Sequence, residues 1–303
     1  MKKNINILRR HILVTGGTGM IGFYLCNYLS NLDLKVTVIS RNITNYIAIK
    51  NINYIHTDIL DYKKLTLLPN DIDTVIHLAS HVHKPKDKLE KIQNVNINGT
   101  KNIIKFSQNR KIRLIHISTV NVQHFYDGKL FSSYAKTKAL SEREVLEATK
   151  TGLDALVIRP GTVFGTEKNY SGTLIEKVIR SKLPILPAPE RIISPIWAQD
   201  LVEAIINSIN LGYKGKIYVV ANKPMTTDEF VNVIKTRIGS KKLMIPISRK
   251  LIVFFVRLLN KMNLFGSLIS SVSYENVKID SSFDGSSSSK ELNFTYTNLD
   301  EIF

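Results

Sequence analysis

The sequence predicts an α/β protein, a doubly wound parallel sheet with a smaller C-terminal lobe. Three observations predict it. Short β-branched apolar runs recur from His11 to Val220, each followed by a plausible helix, and strands that alternate with helices build parallel sheets. The first run, His11-Ile12-Leu13-Val14-Thr15, enters Gly16-Gly17-Thr18-Gly19-Met20-Ile21-Gly22, a glycine-punctuated turn of the kind that joins a buried strand to a helix. The chain's 303 residues, 44% of them apolar, suffice for one large domain and an appendage.

The first helix runs from Met20 to Leu29, with Ile21, Leu25 and Leu29 on its apolar face. Its glycines have separate reasons: Gly16 permits the tight turn, Gly19 lets a pyrophosphate approach the backbone, and Gly22 lets the helix close on the strand. Strand, loop and helix together therefore read as a dinucleotide-binding unit. Lys35–Ser40, Ile52–His56, Asp73–Ala79 and Ile112–Ser118 read as the next four strands, and Ala155–Arg159 and Lys216–Val220 could complete the sheet. Ala135–Glu147 and Leu201–Ile209 read as helices. Four prolines between Pro184 and Pro195 break the stretch from Thr166, which excludes one continuous helix there. Residues 1–165, with 197–222 returning, are assigned to the cofactor domain, and 166–303 mainly to a substrate lobe. Ser281–Ser289 is of low complexity and reads as a surface loop.

Composition narrows the function classes. The net charge of +17 is spread over scattered lysines with no basic run interleaved with aromatics, which argues against nucleic-acid binding and fits anionic ligands. One cysteine, Cys26, excludes an internal disulfide and a multi-cysteine metal site, and on the first helix it reads as core. No metal is expected. The basic start Met1-Lys2-Lys3 is followed only by the apolar run that feeds the glycine loop, so a cleaved leader is not expected and a cytoplasmic setting is. Leu251–Val256, followed by Arg257, Leu258, Leu259 and Lys261, is too short before its first charge to span a bilayer. It reads as a helix docked on the lobe, with a helix that makes weak membrane-surface contact or binds a partner as the alternative. A homodimer is left open.

Tyr134 and Lys138 stand four apart at the start of the Ala135–Glu147 helix, which puts them on one helix face. The same spacing occurs at Tyr46/Lys50 and Tyr274/Lys278, but only Tyr134 follows a hydroxyl pair, Ser118-Thr119, at the carboxyl end of a predicted strand. Open α/β sheets bind ligands at that end. A free phenol has a pKa of about 10, and a fixed cation such as Lys138 would lower it at about 1.4 kcal/mol per unit. Tyr134 would then serve as general acid or base while a hydroxyl holds the reacting oxygen.

The glycine loop and this triad resemble the extended short-chain dehydrogenase/reductase family, which includes nucleotide-sugar epimerases, dehydratases and reductases. His77-Leu78-Ala79-Ser80, Asn96-Ile97-Asn98-Gly99-Thr100 and Arg159-Pro160-Gly161-Thr162-Val163-Phe164-Gly165 resemble further segments of it, Phe164 replacing the usual tyrosine. The resemblance implies a Rossmann sheet and Thr119, Tyr134 and Lys138 as catalytic groups, with Lys138 also on the nicotinamide ribose. It implies cofactor contacts at Gly16, Thr18, Gly19, Met20, Ile21, Gly22, Asp58, Ile59, Leu78, Ala79, Pro160 and Val163. Asp58 could equally cap the next turn, and His77 could equally be a satisfied strand-end histidine. Ser118 is the candidate substrate contact beside Thr119.

Departures from the family pattern are informative as well. The second strand ends in Ser40-Arg41 without an acid, which favours NADP, whose 2′-phosphate an arginine can pair with, over NAD. Val120-Asn121-Val122-Gln123 lacks the Asp-Glu pair of sugar 4,6-dehydratases, so dehydration is not expected. The family's diphosphate-gripping arginine would align with Ile193, and Arg191 lies two residues early. Either the loop is shifted or the substrate is not a nucleoside diphosphate. The expected function is NADPH-dependent reduction of a keto group on a small molecule, a nucleotide-linked sugar being the leading substrate. Other ketones stay open, as do an NAD-dependent nucleotide-sugar epimerase and, in another class, a non-catalytic dinucleotide sensor.

Overall fold

The computed structural model describes residues 11–41, 48–81, 88–129, 132–165, 185–237, 239–261 and 277–302. Met1-Lys2-Lys3, residues 166–184 of the proline-broken stretch, and Tyr46 and Tyr274 lie outside the described residues.

Strand β1 (His11–Thr15) is buried at every position, as a central parallel strand covered on both faces must be. Helix α1 (Met20–Leu29), β2 (Lys35–Ser40), β3 (Asn53–His56), α2 (Tyr62–Thr66) and β4 (Thr74–His77) follow. Next come α3 (Leu89–Gln93), α4 (Gly99–Arg110), β5 (Arg113–Ile117), α5 (Asn121–Tyr126), α6 (Ser133–Lys150), β6 (Ala155–Pro160) and β7 (Thr162–Phe164). After β8 (Ile185–Pro187), β9 (Ile192–Ile193) and β10 (Pro195–Trp197), α7 (Ala198–Leu211) leads to β11 (Ile217–Val220).

Among the described residues the main sheet has seven strands in the order β11-β6-β5-β4-β1-β2-β3, all paired parallel. Strand order reverses between β1 and β4, and ligands of such sheets bind at the carboxyl ends flanking that reversal. Alternation across the sheet sorts the core. Ile12 and Val14 pack with Leu25 and Leu29 of α1 and with α7 residues such as Leu201 and Ile205. Leu13, on the other face, joins Ile103 and Phe106 of α4 and Val145 of α6. Cys26 lies in the first cluster, fully buried, and burial pushes its thiol up to about 12, so it is inert filler.

The second lobe is built from short pairings: β7 with β10, β9 with β12 (Met225–Thr226), and β8 with β13 (Ile245–Ile247). Its core joins Phe164, Leu186 and Ile193 to Phe230, Val231 and Ile234 of α8 (Thr227–Arg237). Phe164 meets Phe230 edge to face at 5.0 Å, and its full burial explains why an apolar ring stands where the family usually has a phenol. Helix α9 (Arg249–Lys261) follows β13.

The serine-rich stretch corrects the expectation of a surface loop. Ser286–Glu291 forms α10, started by Asp284, whose carboxylate accepts from the Ser286 N–H and hydroxyl at 2.9 Å each. Ser281 and Ser288 are buried, the Ser281 N–H donating to Ile192 O at 2.9 Å and its carbonyl accepting from Ser194 Oγ at 2.9 Å. Composition misleads here because a small hydroxyl can satisfy itself against nearby backbone, so a serine run can be buried at little desolvation cost. Beyond α10 the chain returns to the first core, where Leu292 and Phe294 are buried. Asn207 Nδ2 donates to Leu292 O at 2.7 Å, and the buried Asp200 carboxylate accepts from Thr297 N and Oγ1 at 2.9 and 2.6 Å.

Candidate active site

The glycine loop has the backbone its residues demand. Gly16 sits at φ +73°, and a Cβ there would lie 2.7 Å from Ala79 N, so only glycine fits. A Cβ on Gly22 would meet Gly16 O at 2.5 Å, which is the close contact between helix and loop. Gly19 has room, its nearest contact being 3.4 Å. It is the N-cap of α1, and no side chain caps that end, which leaves the first N–H groups available to an anion.

A crevice at this corner is lined by Gly16, Thr18, Gly19, Ser40, Arg41, Asp58, Ile59, Leu78 and Ala79, together with Ile39, Thr57, Ser80 and Val95. Eight of the expected cofactor residues thus share one wall. The cradle, a glycine pair no larger residue could replace beside an uncapped helix start, fits a dinucleotide pyrophosphate. Thr18 Oγ1 and Ser40 Oγ lie 3.3 Å apart next to the exposed Arg41. The Asp58 carboxylate accepts from Leu60 N at 2.9 Å, so it caps its turn while facing the crevice. Met20, Ile21 and Gly22 begin α1 rather than line this wall. Pro160 is buried in β6 with its carbonyl accepting from Val120 N at 3.1 Å, and Val163 packs half-buried on the first core; neither lines the crevice.

His77 is a satisfied strand-end histidine, bonded through Nδ1 to Thr15 Oγ1 at 2.6 Å and through Nε2 to Thr100 Oγ1 at 3.0 Å. Its ring lies 5.4 Å from that of His116, and neither His116 ring nitrogen has a partner among the described residues. Both rings are fully buried. Burial, then the charge of Lys138, pushes His77 down to about 3 and His116 well below its usual value. Both therefore stay neutral in the fold and take up protons only on unfolding, so stability is complete above the unfolded value near 6.5 and falls as pH drops below it. In unfolding titrations stability should fall as pH drops below about 6, and His116→Phe should make that fall shallower.

Of the three groups expected to act together, Lys138 and Thr119 meet the carboxyl end of β5, and Tyr134 bonds Ser80 beyond the end of β4. Lys138 is buried in the first turns of α6 and donates from Nζ to Ile117 O at 2.6 Å. Burial pushes it down to about 8, Glu142 partly restoring it, so it stays mainly protonated at neutral pH. Thr119 is buried near the rim, its Oγ1 accepting from Asn121 N at 3.3 Å, which leaves its proton for a ligand. The Tyr134 phenol departs from expectation: burial pushes its pKa up, and the Ser80 hydroxyl pulls it partly back. Lys138 gives one of its three N–H groups to Ile117, and burial keeps Tyr134 a protonated donor rather than a phenolate.

Ser118 turns inward. Its hydroxyl donates to Glu142 Oε2 at 2.6 Å, which withdraws it from the substrate role expected of it. The same carboxylate receives Arg159 through Nε at 3.0 Å and Nη2 at 2.5 Å, and Arg159 Nη1 donates to Gln123 Oε1 at 3.1 Å. This buried pair ties β5, α5, α6 and β6 together behind Thr119. Ser80 was equally hidden in the sequence as anything but a segment member: its hydroxyl donates to Asn96 Oδ1 at 3.2 Å, and Asn96 Nδ2 donates to Thr137 Oγ1 at 3.0 Å. Asn96 lies in a π-helical turn, Asn94–Asn98, a distortion frequent at functional sites. Arg191 lies in the second lobe with Nε donating to Ile279 O at 3.0 Å; burial, then Arg249, pushes it down to about 10, which leaves it a cation whose charge reaches His124 of α5.

The sequence model of the NAD dependent epimerase/dehydratase family matches residues 12–221. The chain belongs to this family. Among relatives of this chain, human short-chain dehydrogenase/reductase family 42E member 1 is 24% identical over 71% of this chain and 62% of its own length. The chain thus spans about three fifths of that relative. The 2-alkyl-3-oxoalkanoate reductase of Stenotrophomonas maltophilia is 23% identical over 79% of both chains. In fold, the UDP-N-acetylglucosamine 4-epimerase of Methanobrevibacter ruminantium superposes with TM-score 0.74 and 21% identity, covering 97% of each chain. The dTDP-glucose 4,6-dehydratase of Bacillus anthracis, solved with NAD, gives TM-score 0.72 and 18% identity over 97% and 95%. The family is one of NAD(P)-binding enzymes with reductase, epimerase and dehydratase members.

Proposed function

We propose that this chain reduces a keto group with NADPH, the substrate being a nucleotide-linked sugar. The observation that carries the reading is the corner made by Thr18, Ser40 and Arg41, two hydroxyls and a cation on the crevice wall with no carboxylate at the end of β2. That set suits a 2′-phosphate and has nothing to hold a bare ribose diol by charge. When bound, the cofactor supplies the hydride. Tyr134, held protonated by burial, gives its proton to the carbonyl oxygen, and Thr119 donates a hydrogen bond to the same oxygen. Lys138, four residues further along α6 and so on the same helix face, is the cation we assign to steadying the phenolate left after transfer. Gln123 and Asn121, at the start of α5, offer no carboxylate for water elimination. Arg191, cationic and set against α5 from the second lobe, is the group we assign to the substrate's phosphates. The reductase relative that matches over 79% of both chains supports reduction as the direction.

The test is cofactor oxidation by the purified protein across keto-sugar nucleotides and simpler ketones. Roughly ten- to a hundred-fold preference for NADPH over NADH is expected, from about 1.5–3 kcal/mol for an arginine–phosphate pair. Arg41→Ala should erase most of that preference and leave NADH binding nearly unchanged. Protein that retains NAD on purification and interconverts sugar epimers without net cofactor oxidation would make it an epimerase instead.

A further inference from the structure

No helix among the described residues is long and apolar enough to cross a membrane, yet α9 and the stretch from Leu243 through β13 hold five of the eleven large apolar side chains exposed among the described residues. Phe254 is 60% exposed and Phe255 50%, their rings 5.8 Å apart, with Leu251 at 44% beside them. Spacings of three and four put Leu251, Phe254 and Phe255 on one helix face. Leu243, 87% exposed, and Ile245, 58% exposed, precede them on and before β13. Leu251, Phe254 and Phe255 therefore lie on the solvent side of a helix whose Ile252 and Val253 are half-buried.

The charge around these residues decides what covers them. From Lys241 to Lys261 the chain carries Lys241, Lys242, Arg249, Lys250, Arg257 and Lys261 and no aspartate or glutamate. Lys241 and Lys250 are exposed, and Lys250 shares a shallow hollow with Val253 and Phe254. We infer that α9 and the β13 edge dock on an anionic lipid surface, aromatic rings entering the headgroup boundary and lysines meeting the lipid phosphates. A helix of thirteen residues with exposed aromatics along one face and basic neighbours has the chemistry of an interfacial helix. An acidic protein partner for the exposed Lys241 and Lys250 would still need an apolar pocket for two phenyl rings; a bilayer of acidic lipid presents both without further shaping. The attachment is anchored to the second lobe: Arg249 Nη2 donates to Asp280 Oδ1 at 2.5 Å and its N–H to Glu190 Oε1 at 2.8 Å, next to Arg191. A docked molecule would so hold its substrate lobe at the membrane.

Sedimentation of the full-length protein with phosphatidylcholine vesicles, with and without phosphatidylserine, tests this. The protein should pellet with the acidic vesicles, only weakly with neutral ones, and less as salt rises. Phe254→Ser should weaken binding roughly tenfold and the Phe254→Ser/Phe255→Ser pair more. Lys241→Glu/Lys250→Glu, which leaves the rings in place, should lose the preference for acidic lipid; retained thermal melting shows that each variant is folded. Failure of the folded wild-type protein to pellet overturns the proposal. So does vesicle binding untouched by these variants, or a dimer in ultracentrifugation that the phenylalanine pair abolishes, which would assign the face to a second copy of the chain.

Discussion

Tyr134→Phe should lower turnover by about 10²–10⁴-fold while cofactor affinity holds, because the ring keeps its packing and only the proton donor is lost. The phenol is held above its ordinary pKa by burial, with Ser80 pulling against that shift. It is protonated across the neutral range and ready to serve reduction. Stopped-flow or steady-state cofactor oxidation measures the loss, and fluorescence titration of the cofactor provides the control. Turnover equal to wild type would remove Tyr134 from the chemistry. Ser80→Ala should act in the same direction more mildly, shifting the pH profile, since it removes a partner of the phenol and not the donor.

The second large effect is on stability. Glu142 is fully buried and holds both Ser118 and Arg159, itself 7% exposed. Glu142→Ala strands the guanidinium in the interior and should cost about 3–5 kcal/mol in urea unfolding. Replacing both members, as Glu142→Leu/Arg159→Met, should recover most of that loss, because an intact buried pair contributes little beyond an apolar pair of similar volume. Turnover should stay low in both variants, since Ser118 and the adjoining Thr119 lose the carboxylate that fixes their loop. A loss below about 1 kcal/mol for the single change would mean that water reaches the pair.

The contrast between these two predictions follows what a sequence can display. Gly16, Gly22 and the Tyr134/Lys138 spacing are legible because their causes are local: a turn, a helix start, one face of one helix. The sheet is legible because buried parallel strands read as unbroken β-branched runs. Glu142 and Arg159 lie 17 residues apart, and Glu142 and Ser118 24 apart, on three elements whose meeting only the packed fold decides. Ser80 owes its place to Asn96 in the same way. The serine stretch misleads for the opposite reason: composition is a statement about solvation, and these hydroxyls are satisfied by backbone.

The return of the last residues to the first core bears on how the protein is made. Asp200 is buried with its pKa pushed up to about 6 by burial, against which Thr297 supplies the bonds that favour the charged form. On the ribosome, the main sheet through β11, which ends at Val220, emerges well before Thr297 does, and during that interval Asp200 and the apolar patch awaiting Leu292 and Phe294 lack their later partners. Domains fold in order of synthesis, but this one cannot close until the Leu292–Thr297 segment has emerged. A chain cut short after β11 should keep its glycine loop and Tyr134 yet stick to chaperones and aggregate. Docking of the Leu292–Thr297 segment thus separates a closed first core from an open one.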